Sequence, residues 1–358
     1  MDLGLVGRAN AGKTALFNLV TGADAEIASY PFTTREPARA MADVPDPRLQ
    51  AIADAQDIPR RVAAQVQLVD IAGLAAGAGQ GEGLGGAALG QLRQSDALLH
   101  VVRAFANAEV PHPEDRVDPV ADAEAVDLEL AIADRDQVER RLEKVRKGAR
   151  AGEKGAVTEL PLLEAVAAVL DAGRPARLVG DEDALAIAVG MGLLTAKPVL
   201  YIANTDDALE PSEGLAAHAA AQGAQALALP VDTELELAAM DPEEAAEFAA
   251  EMELGDTRGA DAVVAGAYRL LDLVTFFTGS GPPEARAWPI RRGTLCAAAA
   301  GKIHSDLERG FIRAEVVGWE ALVAAGSWSG ARENATLRME GKDYVVQEGD
   351  VMQIRFNV

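Results

Sequence analysis

The chain has one cysteine, Cys296, in 358 residues. No internal disulfide can form, and a reducing compartment, the cytosol, is expected. Histidine is scarce as well: there are four, none in a Cys/His cluster, which argues against structural zinc. No apolar run approaches the ~18 residues needed to cross a bilayer. The first residues pattern as a strand rather than a secretory leader, so no membrane partner is expected. Positive charge is also short, with 33 Lys and Arg against 56 Asp and Glu, a net charge of −23. Such a surface repels nucleic acid as a whole. DNA is therefore not an expected partner, and an RNA contact would need a local exception. A length of 358 residues with 49% hydrophobic residues points to two or three globular domains.

The strongest positive signal lies at the start. A short apolar strand, Leu3-Gly4-Leu5-Val6, runs into Gly7-Arg8-Ala9-Asn10-Ala11-Gly12-Lys13-Thr14, and an apolar helix with Leu16, Phe17, Leu19 and Val20 follows. This is G-x-x-x-x-G-K-S/T in the strand-then-helix setting that a phosphate-binding loop requires. Gly7 and Gly12 let the backbone curl. The N–H groups of Asn10, Ala11, Gly12, Lys13, Thr14 and Ala15 can then face an anion together with the helix N-terminus. Lys13 is expected to reach the β- and γ-phosphates, and the Thr14 hydroxyl to ligate Mg²⁺.

A second motif supports the first. The strand Val66–Asp70 ends in Asp70-Ile71-Ala72-Gly73, 57 residues beyond Lys13. Asp70 suits a Walker-B-type carboxylate that holds Mg²⁺ through a water. The Gly73 N–H suits a γ-phosphate sensor, which makes Gly73 and Lys13 catalytic candidates. Between them, the polar, proline-bounded segment Tyr30–Pro37 stands where a first switch belongs, with Thr34 as a further metal ligand. From Gly73 to Gly86 there are seven glycines in fourteen residues, a composition suited to a loop that orders on nucleotide binding.

The expected base site is Asn204-Thr205-Asp206-Asp207, at the end of the strand Val199–Ala203. A guanine site wants N-K-x-D, and here Thr205 stands in place of the lysine. The Asn204 amide can bond a purine edge, and Asp207 can supply the carboxylate. A further strand, Ala226 to Val231, leads to Glu234, near where a last nucleotide loop belongs. On this chemistry the base stays open.

Residues 120–172 are helical in pattern. Val138, Leu142 and Val145 share one face, Leu163, Val166 and Leu170 repeat the spacing, and glycines 148, 152 and 155 are expected to turn an antiparallel hairpin. Residues 135–154 carry eight Lys and Arg against four Asp and Glu. Arg140, Arg141, Lys144, Arg146, Lys147 and Arg150 lie towards the tip. A solvated face with i,i+4 pairs is the ordinary account; against a −23 background an RNA contact competes with it. From Leu273 onward short strands and turns predict a small mixed β-domain, with alternation in Ile312–Val316 and Met352–Phe356 and less cleanly in Asp343–Val346. Lys302, His304, Arg309 and Arg313 are its candidates for facing RNA or another domain.

These strings resemble the YchF family, the Obg-like ATPases among the translation-factor-class P-loop GTPases. The resemblance extends through Tyr30-Pro31-Phe32, Asp70–Leu74, Gly81–Gly85, His100–Arg103, Lys197-Pro198, Arg286–Trp288, Gly301–His304, Gly310–Ala314 and Phe356–Val358. It implies an α/β fold with a Ras-like P-loop NTPase domain over 1–119 and 195–272. An inserted α-helical, coiled-coil-like hairpin would occupy 120–194, and a β-grasp-like TGS domain 273–358. It implies a Mg²⁺-dependent NTPase that prefers ATP, tolerates GTP, binds ribosomes through rRNA, and works in translation or stress response. An Obg-type GTPase, and a nucleotide-gated ribosome-binding protein with negligible turnover, are the rivals.

Several positions depart from the family pattern. Asp207 stands where the family's N-x-x-E has glutamate, Ala9 replaces a proline, and Thr33 stands where cysteine is frequent, so no redox switch is expected. Leu74 occupies the place of a water-orienting glutamine. His112, in Val110-Pro111-His112-Pro113, matches the position where the family supplies a water-orienting histidine. A short proline-bounded loop would let it swing towards the γ-phosphate. Asn10 offers a second route, because in some related GTPases an asparagine here helps hold K⁺.

Overall fold

The computed structural model describes residues 1–23, 38–71, 86–112, 114–252, 254, 259–279 and 283–357, except the side chain of Ala87. They group into two compact units, 1–42 with 67–267, and 43–66 with 268–358. In chain order the elements run β1 (Asp2–Val6), α1 (Lys13–Thr21), β2 (Ala38–Val44), α2 (Pro47–Ala55), β3 (Arg60–Val62), β4 (Ala64–Asp70), α3 (Gly86–Leu92) and β5 (Ala97–Ala104). Three helices follow, α4 (Pro119–Arg150), α5 (Lys154–Asp171) and α6 (Glu182–Gly190), then β6 (Val199–Thr205), α7 (Glu213–Ala221), β7 (Gln225–Leu229) and α8 (Val231–Ala239). Among the described residues no helix is long and apolar enough to cross a membrane.

The first unit is built on a sheet of order β2-β4-β1-β5-β6-β7. The β4-β1-β5-β6-β7 pairings are all parallel. Central parallel strands are covered on both faces and read as continuous apolar runs. Accordingly β6 is buried throughout and β5 at all but its last residue. The chain order reverses at β1, which has β4 on one side and β5 on the other. Ligands of open parallel sheets sit at such switch points, outside the carboxyl ends of the strands. The loop from residue 7 to residue 12 leaves β1 at that end.

Helix α4 does two jobs. Its first half buries Ala123, Val126 and Leu130 in the sheet's core. Its second half buries Val138, Leu142 and Val145 against Leu163, Val166 and Leu170 of α5, as the periodicity requires. The turn between them is shorter than the glycines suggested. Gly148 lies inside α4 and Gly155 inside α5, and only Gly152, at φ 81°, takes the left-handed turn conformation. Gly148 serves close packing instead: a Cβ there would lie 3.0 Å from the Ala156 Cβ.

Buried polar groups fix α4 in register. Asp127 accepts a hydrogen bond from the Tyr201 hydroxyl and one from His218 Nε2, both at 2.7 Å. Burial pushes its pKa up, but the neighbouring His100 ring and the hydrogen bonds from His218 and Tyr201 outweigh it, and the carboxylate is held well below its ordinary range. Asp134, fully buried, accepts from the Leu194 N–H at 3.0 Å, the Thr195 N–H at 2.7 Å, the Thr195 hydroxyl at 2.8 Å and Arg93 Nη1 at 2.9 Å.

Two further helices, α9 (Pro242–Glu251) and α10 (Gly259–Leu270), lead to the strands β8 (Leu273–Thr278) and β9 (Glu284–Arg291). Then come α11 (Cys296–Ile303), α12 (Ser305–Arg309), β10 (Phe311–Gly318), α13 (Trp319–Ala325), α14 (Trp328–Glu333), β11 (Arg338–Glu340) and β12 (Asp350–Phe356). The second unit's sheet has the order β11-β10-β12-β8-β9-β3. It is mixed: β12 runs parallel to β8 and β3 parallel to β9, while β10 pairs antiparallel with both neighbours. Helix α11 buries Cys296 and Ala299 against Val274, Phe276, Ile290 and Val316, a β-grasp-like arrangement. Burial pushes the Cys296 thiol up to about 11, which makes it a poor nucleophile.

The expected strand at 343–346 is not formed, and only an isolated bridge joins Val345 to Leu295. Residues 43–66, which the resemblance places within the first 119, group with the second unit, where β3 pairs with β9. Lys302, His304, Arg309 and Arg313 are all exposed. His304 caps α12 by accepting the Asp306 N–H on Nδ1 at 3.1 Å, and Arg309 pairs with Asp306.

Replacing Asp134 by Ala would leave three buried donors, the Leu194 and Thr195 N–H groups and the Thr195 hydroxyl, without this acceptor, and would remove the carboxylate that pairs with Arg93. An Asp134→Ala variant is expected to lose about 3–5 kcal/mol of stability, read as a lower denaturation midpoint. Asp134→Asn, which keeps one acceptor oxygen, should lose less. An unchanged midpoint in Asp134→Ala would refute the anchoring role.

Candidate functional site

The loop that leaves β1 is shaped by two missing side chains. A Cβ on Gly7 would lie 2.2 Å from the Val101 carbonyl oxygen, so glycine lets the loop lie directly on β5. Gly12 adopts φ 94°, and a Cβ there would lie 2.2 Å from Asn204 Nδ2. Asn10 is left-handed at φ 60°, a conformation asparagine tolerates.

Lys13 Nζ donates to the Gly7 carbonyl at 3.0 Å and to the Arg8 carbonyl at 2.7 Å, so the ammonium lies back across its own loop. Burial lowers its pKa to about 8 against the opposing pull of Asp70. The Thr14 hydroxyl donates to Asp70 Oδ2 at 2.8 Å. Lysine, hydroxyl and carboxylate thus meet at the amino end of α1, although β1 and β4 are far apart in sequence. Thr34, Gly73 and Leu74, with Thr33, Tyr30–Pro37 and the glycine run to 85, lie outside the described residues.

The Asn204 amide is a brace. Nδ2 donates to the Ala11 carbonyl at 3.2 Å, and Oδ1 accepts from the Val231 N–H at 3.3 Å. It joins the phosphate-loop segment to the start of α8. Thr205 is buried and donates its hydroxyl to the Ala208 carbonyl at 2.7 Å. Asp206, not Asp207, is tethered at this loop, accepting the Ala106 N–H at 3.1 Å, and Asp207 is exposed. Ala11, in the loop, and Ala15, in α1, are buried, and Glu234 is buried in the first turn of α8.

His112 differs from expectation. It is not a swinging surface residue but a buried one, 8% exposed. Nε2 lies 2.8 Å from Asp122 Oδ2, and Nδ1 accepts the Glu114 N–H at 3.1 Å. The reason lies in the neighbouring elements. Arg8 pairs with Glu114 at 2.8 Å and lies 3.6 Å from Asp122, and Asn10 Nδ2 donates to the Pro111 carbonyl at 2.8 Å. Two side chains of the glycine loop therefore fasten the histidine segment to it. Arg8, Glu114 and Asp122 were not signalled by the sequence. Arg8 occupies a free position of the motif, and Asp122 looks like an ordinary acid in the first turn of a helix.

The basic hairpin face is partly spent. Arg141 pairs with Glu159 at 2.7 Å, and Arg146 with Glu139 at 3.1 Å. Among the described residues no ion pair engages Arg140, Lys144, Lys147 or Arg150. Arg140 and Lys144 line an open groove with Gln137, Ile187 and Met191.

Comparison with known proteins shows the family. A family model described as a 50S ribosome-binding GTPase matches residues 2–144, and the YchF-GTPase carboxy-terminal model, described as a protein of unknown function, matches 273–357. The Ribosome-binding ATPase YchF of Bacillus subtilis is 42% identical, with the whole of both chains covered. The chain belongs to the YchF family. The protein of that name in Haemophilus influenzae is 41% identical over 99% of each chain, and Obg-like ATPase 1 of Oryza sativa is 38% identical over all of this chain and 92% of its own. The solved Schizosaccharomyces pombe YchF GTPase superposes with a TM-score of 0.85 at 32% identity, covering 99% of this chain and 97% of that one. A GTP binding protein from Pyrococcus horikoshii, at TM-score 0.59 and 19% identity with both chains fully covered, shares the fold.

A Gly12→Ala variant must strain the backbone and displace Asn204. Its nucleotide affinity should fall at least about tenfold, ~1.4 kcal/mol, by calorimetric titration. Unchanged affinity would mean that the ligand does not use this loop.

Proposed function

We propose that the chain is a Mg²⁺-dependent P-loop NTPase that hydrolyses ATP, tolerates GTP, and acts in the cytoplasm as a ribosome-associated switch. The carrying observation is the 2.8 Å contact between the Thr14 hydroxyl and Asp70, beside Lys13. Hydroxyl and carboxylate are hard oxygen donors, the set that Mg²⁺ prefers. Thr14 and Asp70 would hold the ion, with Thr34 as the further candidate. When bound, Mg²⁺ neutralises charge on the β- and γ-phosphate oxygens.

Each remaining residue has its own part. Lys13 would exchange the Gly7 and Arg8 carbonyls for phosphate oxygens. With a pKa of about 8 it is still mostly protonated at neutral pH. The N–H groups of residues 10–15 would face the phosphates, and the Gly73 N–H would sense the γ-phosphate. Asn204, Thr205, Asp207 and Glu234 would frame the base. His112 would orient the attacking water, because Leu74 cannot. Asn10 Oδ1 is the atom that would ligate K⁺.

Nucleotide handling is assigned to residues within 1–119 and 195–272, and the ribosome or rRNA contact to the 120–194 insertion. The 273–358 region takes a binding or regulatory role. Relatives named ribosome-binding ATPases support a ribosome contact, and the basic residues of α4 without an ion pair among the described residues support placing it on the insertion. A GTP-preferring reading has one observation in its favour, the exposed Asp207 carboxylate at the guanine-reading position.

Competition between fluorescent ATP and GTP analogues in Mg²⁺ decides. ATP should bind tighter by about tenfold or more, ~1.4 kcal/mol. Tighter GTP binding would overturn the ATP assignment and make Asp207 the base reader.

A further inference from the structure

The histidine segment carries an inference that rests on the reading of His112 as the water-orienting group. Nδ1 accepts the Glu114 N–H at 3.1 Å, so Nδ1 carries no proton. The ring proton is then on Nε2, which donates to Asp122 Oδ2 at 2.8 Å. Both side chains are 4% exposed. Asp122 sits in the first turn of α4, where the helix dipole favours a carboxylate.

The surroundings mark Asp122 as more than a packing residue. Its Oδ1 is buried without a hydrogen-bond partner, as is Nη1 of Arg103 on β5. Two cations face the carboxylate, Arg8 from the glycine loop at 3.6 Å and Arg103, whose charge couples to it. Glu114 meets His112 through its backbone N–H, while its carboxylate pairs with Arg8 and Arg116. A single buried carboxylate is thus addressed from the phosphate loop, from β5 and by the histidine.

We infer that Asp122 is the positioning residue for His112. It fixes the Nε2–H form and so dedicates Nδ1 to the attacking water. A carboxylate that holds one ring nitrogen and leaves the other free to accept is a general way to orient a working imidazole. Here the Glu114 N–H is the partner of Nδ1, and the water takes that place during turnover. The Asp122 bond persists, so His112 works from its buried seat. Arg8 links that seat to the loop that grips the phosphates.

Nitrogen-15 NMR of the full-length wild-type protein tests the first half without any variant. The His112 ring should show the Nε2–H pattern, and an Nδ1–H pattern would overturn the inference. The second half is read from steady-state kinetics and the same spectrum of Asp122→Asn. The tautomer should become mixed, and kcat should fall roughly tenfold or more, approaching His112→Ala, with KM for ATP within about twofold. An active Asp122→Asn with an unchanged tautomer, beside an inactive His112→Ala, would overturn the role of Asp122 while leaving His112 in place. Unchanged turnover in His112→Ala would instead sink the water-orienting reading, and with it the catalytic use of Asp122.

Discussion

The site depends on one amide. Asn204 bridges the Ala11 carbonyl and the Val231 N–H, and so holds the phosphate-loop segment against the start of α8. The bridge is possible only because Gly12 has no Cβ. Losing it would leave two backbone groups without partners, a cost of about 1–3 kcal/mol for each one that stays buried. A loop bound at both ends presents its N–H groups in a fixed array, and a fixed array is what a phosphate chain needs.

From that brace the site extends in two directions. Towards β4, the Thr14 hydroxyl meets Asp70, the end suited to a metal. Towards α4, Arg8 and Asn10 reach the segment that carries His112. The loop's conformation is therefore mechanically linked to both ends. A nucleotide that repositions Lys13 must break its bonds to the Gly7 and Arg8 carbonyls, and Arg8 is the residue whose side chain faces Glu114 and Asp122. Arg8 thus touches Lys13 through its carbonyl and the histidine segment through its side chain.

Much of this was legible locally. Strand, glycine loop and helix lie contiguous in residues 2–21, and the apolar spacing of α4 and α5 fixed the hairpin, because each rests on short-range periodicity. What failed was what depends on a distant partner. Gly148 looked like a turn residue because the role of a missing Cβ shows only when Ala156 is beside it. The placement of 43–66 depends on β3 finding β9, more than 200 residues away. His112 turned out buried because Asp122, its partner, announces nothing in sequence, and the bracing role of Asn204 was not visible because its backbone partners lie on other loops.

The central claim is that Thr14 and Asp70 together form the metal end of a nucleotide site. The direct measurement is ATP affinity with Mg²⁺ and with EDTA, in the wild-type protein and in Asp70→Asn. Mg²⁺ should tighten binding in the wild type, and that gain should vanish in Asp70→Asn while metal-free affinity changes little. An equal Mg²⁺ gain in both proteins would contradict the account and place the metal elsewhere.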